Sequence, residues 1–147
     1  MVAIGSSTRL ADMVGVPVKN ALVGADGKPL PRHSFYIPGS LLEVSVDNTK
    51  PIAYGAPKTM NVFFDRSPAF APDAGVKAAW YPHGDVLRSG WAVGQEKLNG
   101  AGAVVETDVG KGKLFLMGPE VAQRAQSHAA FKFLFNGLQY GPAISQP

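Results

Sequence analysis

The stretch AGAVVETDVGKGKLFLMG, residues 101–118, limits the possible folds of this chain more than any other. Two apolar runs, Ala103 to Val109 and Lys113 to Met117, flank Gly110-Lys111-Gly112. Glycines at 110 and 112 can supply the positive φ that a tight hairpin turn needs. Leu114-Phe115-Leu116-Met117 is apolar at consecutive positions, so it presents apolar side chains to both faces of a sheet. That pattern belongs to a strand covered on both sides. The stretch therefore predicts an antiparallel hairpin whose second strand is central.

The rest of the chain supplies partners for it. Val2 to Gly5 reads as a short buried strand. It runs into SSTRLADMVG, where Ser6 or Ser7 can cap a helix and Gly15 can end it. Leu10, Met13 and Val14 sit three and four apart and predict the buried face of that helix. Leu41 to Asp47 alternates, with Leu42, Val44 and Val46 on one side, and reads as a half-buried strand. Met60 to Asp65 and Val76 to Pro82 are two more strands. Asp26-Gly27, in a proline-rich excursion, marks a turn. The stretch around Trp91 predicts a short helix ended by Gly100. A last helix is expected from Ser127, its N-cap, with Phe131, Leu134, Phe135 and Leu138 on one face and Phe133 beside them. Gly137 falls near its expected end, and residues 141–147 read as a loose tail.

The 147 residues are enough for one domain with a real core, and 46% of them are hydrophobic against 17% charged, which is a globular balance. No repeat and no linker divide the chain. It reads as a single α/β domain over residues 1–140, with strand and turn in the middle and helix at both ends. The opening MVAIGSSTRLADMVG lacks the basic and long apolar segments of a signal peptide and reads as the interior of a domain, cut from a longer chain.

Several functions lose their support at once. The net charge is +3, but the basic residues are scattered, so there is no phosphate-tracking patch and no expectation of nucleic-acid binding. No apolar run is long enough to span a bilayer, so no membrane partner is expected. The chain has no cysteine, which removes disulfides, thiolate metal sites and a cysteine nucleophile. The histidines at 33, 83 and 128 lie about 50 residues apart, and none is in a zinc motif. No metal and no cofactor is expected; His83-Gly84-Asp85 reads as a turn. The serine elbow is absent, and Ser6 and Ser7 read as capping residues. Neither GAGAVV nor GKGK opens a helix, so no pyrophosphate loop is present.

One stretch keeps a chemical interest. GPEVAQRAQSHAAFKFLFNG places Glu120, Arg124, Gln126 and His128 just before the last helix. If the chain is extended there, Arg124, Gln126 and His128 share a side and could form a ligand pocket with Glu120. The plainer reading makes this stretch a hydrogen-bonded approach to a core helix. Trp91 is a further ligand-pocket candidate.

IPGSLLEV, GKGKLFLMGPE and RAQSHAAFKFLFNG, in this order, resemble segments of the C-terminal region of large bacterial zinc carboxypeptidases of the M14 type. The resemblance runs from Val2 to Leu138. It implies a partial flavodoxin-like α/β fold, similar to class I glutamine amidotransferases, with a mixed sheet, a C-terminal β-hairpin and a helix. In such proteins the zinc ligands sit in an upstream domain, and true amidotransferases use a cysteine. Neither set is present in this chain. The resemblance thus implies a non-catalytic accessory or binding domain, partnered by an upstream peptidase domain or a peptide segment. A truncated sheet also implies an unpaired edge and a homodimer. A periplasmic or extracellular setting follows from the same likeness. Two alternatives stay open. One is a stand-alone small hydrolase using Ser6 or Ser7, Asp85, Glu120, Arg124 and His128. The other is a carbohydrate- or peptide-binding module in which Trp80, Tyr81 and Trp91 line one exposed surface.

Overall fold

Seven strands pair into one curled, mixed sheet: β1 (Val2–Ile4), β2 (Ser40–Val46), β3 (Thr59–Phe64), β4 (Val76–Trp80), β5 (Leu87–Ser89), β6 (Gly102–Val109) and β7 (Gly112–Met117). The helices are α1 (Leu10–Met13) and α2 (Phe131–Ile144). The computed structural model describes residues 1–144, Pro17 and Pro72 excepted, and only the backbone of 141–144. The strand order is β1-β7-β6-β4-β2-β3, with β5 joined to β2 beside that path. Among the described residues only β1 and β7 are parallel, and every other strand pair is antiparallel. β2 meets β4 at Ser45 and Val46 but β5 at Leu41 and Leu42, so its two halves serve different neighbours and the sheet curls there.

The hairpin forms as its composition requires. Val109 pairs with Gly112, leaving Gly110 and Lys111 as the turn. Gly110 takes φ 58°, a conformation that favours glycine. Gly112 is already in the strand, so only one of the two glycines expected to supply positive φ does so. Leu114 to Met117 are fully buried, with β1 on one side and β6 on the other. Phe115 and Met117 join a large cluster on one face of the sheet, and Leu114 and Leu116 join a smaller one on the other. Lys113 bridges Glu106 at 2.7 Å and Asp108 at 2.9 Å across the hairpin. Its bonds to Glu106 and then Asp108 hold its pKa well above the ordinary lysine range.

β2 buries Leu42, Val44 and Val46 as its alternation predicts. Both helices differ from expectation in the face they bury. Each is entered through a 3-10 turn, Gly5–Arg9 before α1 and His128–Ala130 before α2. Over the first 3-10 turn and α1, Thr8 and Ala11 are buried while Met13 is 82% exposed. Over the second 3-10 turn and α2 the inward residues are Ala130, Phe133 and Gly137, while Phe135 and Leu138 are each 56% exposed. Gly137 packs where a Cβ would come within 3.0 Å of Val2 and 3.1 Å of Ile52, so it lies inside the helix and does not end it. Asn136 ties the helix down by donating to Ile52 O at 3.1 Å and Tyr54 O at 2.9 Å.

Ser7, not Ser6, organises the first turn: its Oγ accepts from Ile4 N at 2.8 Å and donates to Ile4 O at 2.7 Å. Ser127 makes no capping bond. Its hydroxyl donates to Asn61 O on β3 instead, which anchors the approach to α2 against that edge strand. The helix continues through 141–144, a segment expected to be loose; the rest of the expected tail, 145–147, lies outside the described residues. The short helix expected near Trp91 is the 3-10 turn Gln95–Leu98, and β5 was not foreseen.

Candidate functional site

The carboxyl ends of β1 and β7, the parallel pair, open on a cleft of ≈ 1340 Å³. Parallel strands of α/β sheets commonly place ligands at this end, because the chain leaves the sheet there in loops. β1 delivers Gly5, at φ 56°, against which the Glu120 carboxylate packs. β7 delivers Gly118, which packs on Pro68 O, and then Glu120. Glu120 N donates to Phe63 O at 3.0 Å and Gly118 N to Ala103 O at 2.9 Å, so the segment is fixed between two strands. β3 ends in Asp65-Arg66-Ser67, where Asp65 N donates to Ser67 Oγ at 3.2 Å and Arg66 takes φ 51°. Residues 18–37 form the remaining wall.

Arg9, Lys19, Arg32 and Arg66 line the cleft together with Asp12, Asp65 and Glu120. Arg66 Nε lies 3.3 Å from Asp65 Oδ1, and both groups are exposed, so this pair contributes little stability. Among the described residues Arg9, Lys19 and Arg32 form no ion pair. The result is a mixed set of donors and acceptors at the cleft wall.

Of the residues singled out before the last helix, only Glu120 lines this cleft. Arg124 lies exposed in the turn Gln123–Ala125 at φ 46°, and Gln126 N closes that turn on Gln123 O at 2.8 Å. His128 is exposed and leans on Phe131, with ring centroids 5.7 Å apart. The segment coils instead of extending, so alternate residues do not share a side. Arg124, Ala125 and Ser127 all hold left-handed backbone, each at a cost of about 1 kcal/mol. The hydrolase candidates are separated too. Ser6 lines the cleft, Ser7 is engaged with Ile4, and the Asp85 carboxylate accepts from Leu87 N at 3.1 Å. No serine–histidine hydrogen bond forms among the described residues. No group of three or more histidines or acids is placed to hold a metal among the described residues, and no helix there is long and apolar enough to cross a membrane.

The three aromatics proposed as one platform do not form one. Tyr81 is fully buried, with its hydroxyl unpartnered, and Trp80 is half-buried. Trp91 stands apart at 58% exposure, edge-to-face with Tyr36 at 6.0 Å and 81°. Tyr36 and Arg32, both beside the cleft, carried no spacing signal. A lone tyrosine in a proline-rich excursion looks like any surface tyrosine until β5 and its loop are folded against it.

The molecule is a mixed α/β domain with a curled sheet, few helices and a charged cleft at the end of its parallel pair. No family model, curated protein or solved structure matches the chain.

Proposed function

We propose that the chain is a non-catalytic accessory domain that docks on a neighbouring domain, as the likeness to M14-type zinc carboxypeptidases implies. The observation that carries this reading is the outer face of α2. Phe135 and Leu138 leave more than half of their surface in water. Leu138 also lines a groove of ≈ 500 Å³ with Met1, Val2 and Val14. Beside the groove, β1 has a partner on one side only among the described residues. A contiguous apolar surface next to a free strand edge is what an obligate neighbour covers. The flavodoxin-like assignment belongs to the same proposal. It is supported by β1 running directly into a helical turn and lying parallel to β7, and further strands of such a sheet would add at β1. Zinc peptidase chemistry then resides in the neighbour.

Antibody raised against the 147 residues tests this on a blot of the source cells. The expected result is a band far above 15.5 kDa whose immunoprecipitate carries chelator-sensitive carboxypeptidase activity. A band at 15.5 kDa, or chelator-sensitive peptidase activity in the purified chain itself, defeats it.

A further inference from the structure

The loop after β5 holds a tryptophan in the open with unusual care. Ser40, only 1% exposed, bridges both backbone groups of Trp91: its Oγ accepts from Trp91 N at 3.0 Å and donates to Trp91 O at 2.7 Å. The preceding Gly90, at φ 97°, lies so close to Ser40 that no side chain fits between them. Two residues later Val93 and Tyr36 exchange both backbone bonds, at 2.9 and 3.0 Å. The backbone that carries the indole is thus fixed, while the ring lies edge-on to Tyr36 and is 58% exposed, and the Arg32 guanidinium lies 5.3 Å from the centre of the Tyr36 ring. Tyr36 and Arg32 belong to the cleft wall, so Trp91 forms its outer rim.

We propose that this rim and the adjoining cleft bind a saccharide chain, with a sugar ring stacked on Trp91 and its hydroxyls bonded to the charged groups of the cleft. A sugar ring has an apolar C–H face and a periphery of hydroxyls, each both donor and acceptor. An exposed, rigid indole suits the first, because a pre-organised aromatic loses little freedom on binding. Acceptor-only carboxylates beside donor-only cations suit the second: Asp12, Asp65 and Glu120 among Arg9, Lys19, Arg32 and Arg66. Three carboxylates oppose a polyanion, and the cations oppose an apolar peptide. No residue of the α2 docking face takes part, so this site and that face stand or fall separately.

Calorimetry and tryptophan fluorescence of the whole chain, titrated with the neutral oligosaccharides cellohexaose, chitohexaose and xylohexaose, test the proposal. At least one is expected to bind saturably and to change the emission. Trp91→Ala should then weaken binding about tenfold with an unchanged melting temperature. Trp80→Phe and Phe135→Asp should bind as the parent does. Silence with all three sugars to about 10 mM, or equal affinity in Trp91→Ala, overturns the proposal. So does a chain that binds only peptides through Trp91.

Discussion

Phe133 and Phe135 are two residues apart on α2, and one is fully buried while the other is more than half exposed. Phe133 lies in the large cluster with Phe115, Met117 and Ile52. Phe135 touches Phe131 edge-on at 6.5 Å and otherwise faces water. The helix is apolar on both sides, so hydrophobicity alone did not choose its buried face. The sheet chose it: Ala130 and Gly137 are the positions where the helix can approach the strands closely, and Phe133 lies between them. The large side chains on the other side are left for a neighbour.

The strongest way to break this comparison is to remove the inner ring. Phe133→Ala should cost about 3–5 kcal/mol by lost burial plus a cavity, read as a lower denaturant midpoint. If it costs no more than Phe135→Ala, the assignment of inner and outer faces is wrong. A smaller effect tests how α2 is held. Ser127→Ala removes the hydroxyl bond to Asn61 O and should cost about 1 kcal/mol. An unchanged midpoint would mean that the bond does not anchor the helix.

A third change sharpens what the core tolerates. The Tyr81 hydroxyl is buried without a partner, and burial raises its pKa far above the ordinary value of about 10. Its contribution to stability is complete below pH ~10 and is lost as pH rises above that, because only the unfolded chain ionises freely there. Tyr81→Phe should therefore match or exceed the parent by up to about 1 kcal/mol at neutral pH and lose less stability in alkali. Chemical denaturation at pH 7 and pH 11 reads both, and a less stable variant at neutral pH would mean that the hydroxyl has a partner after all. The smallest effect is on the outer face. Phe135→Ala or Leu138→Ala should shift the stability of this chain by no more than about 0.5 kcal/mol. A loss above 2 kcal/mol would mean that these side chains already pack within the chain or between copies.

The hairpin was legible because its signal is local. Glycine at the turn and apolar residues at consecutive positions of β7 act within a few residues of one another. The same holds for β2, whose period of two needs no partner to be seen. The helix faces were not legible, because α2 is apolar on both sides and the strands it packs on choose between them. Nor was the segment from Arg124 to His128, where left-handed residues coil a chain that its sequence allows to be extended.

The candidate site divides in the same way. Glu120 and Trp91 stand out in the sequence, as an acid after a buried strand and an aromatic among glycines. The cleft around Glu120 joins residues 5–12, 18–37 and 65–70, and no local pattern links them. Trp91 acquires its setting from Ser40, fifty-one positions away, and from Tyr36. The sequence by itself determined the α/β composition, the hairpin and the burial of alternating strands, since each follows from the conformational preferences of neighbouring residues. Only the tertiary structure decided which side of α2 meets the sheet and which charges share a cleft. Those outcomes depend on distances between segments far apart in the chain, and side-chain periodicity carries no information about them.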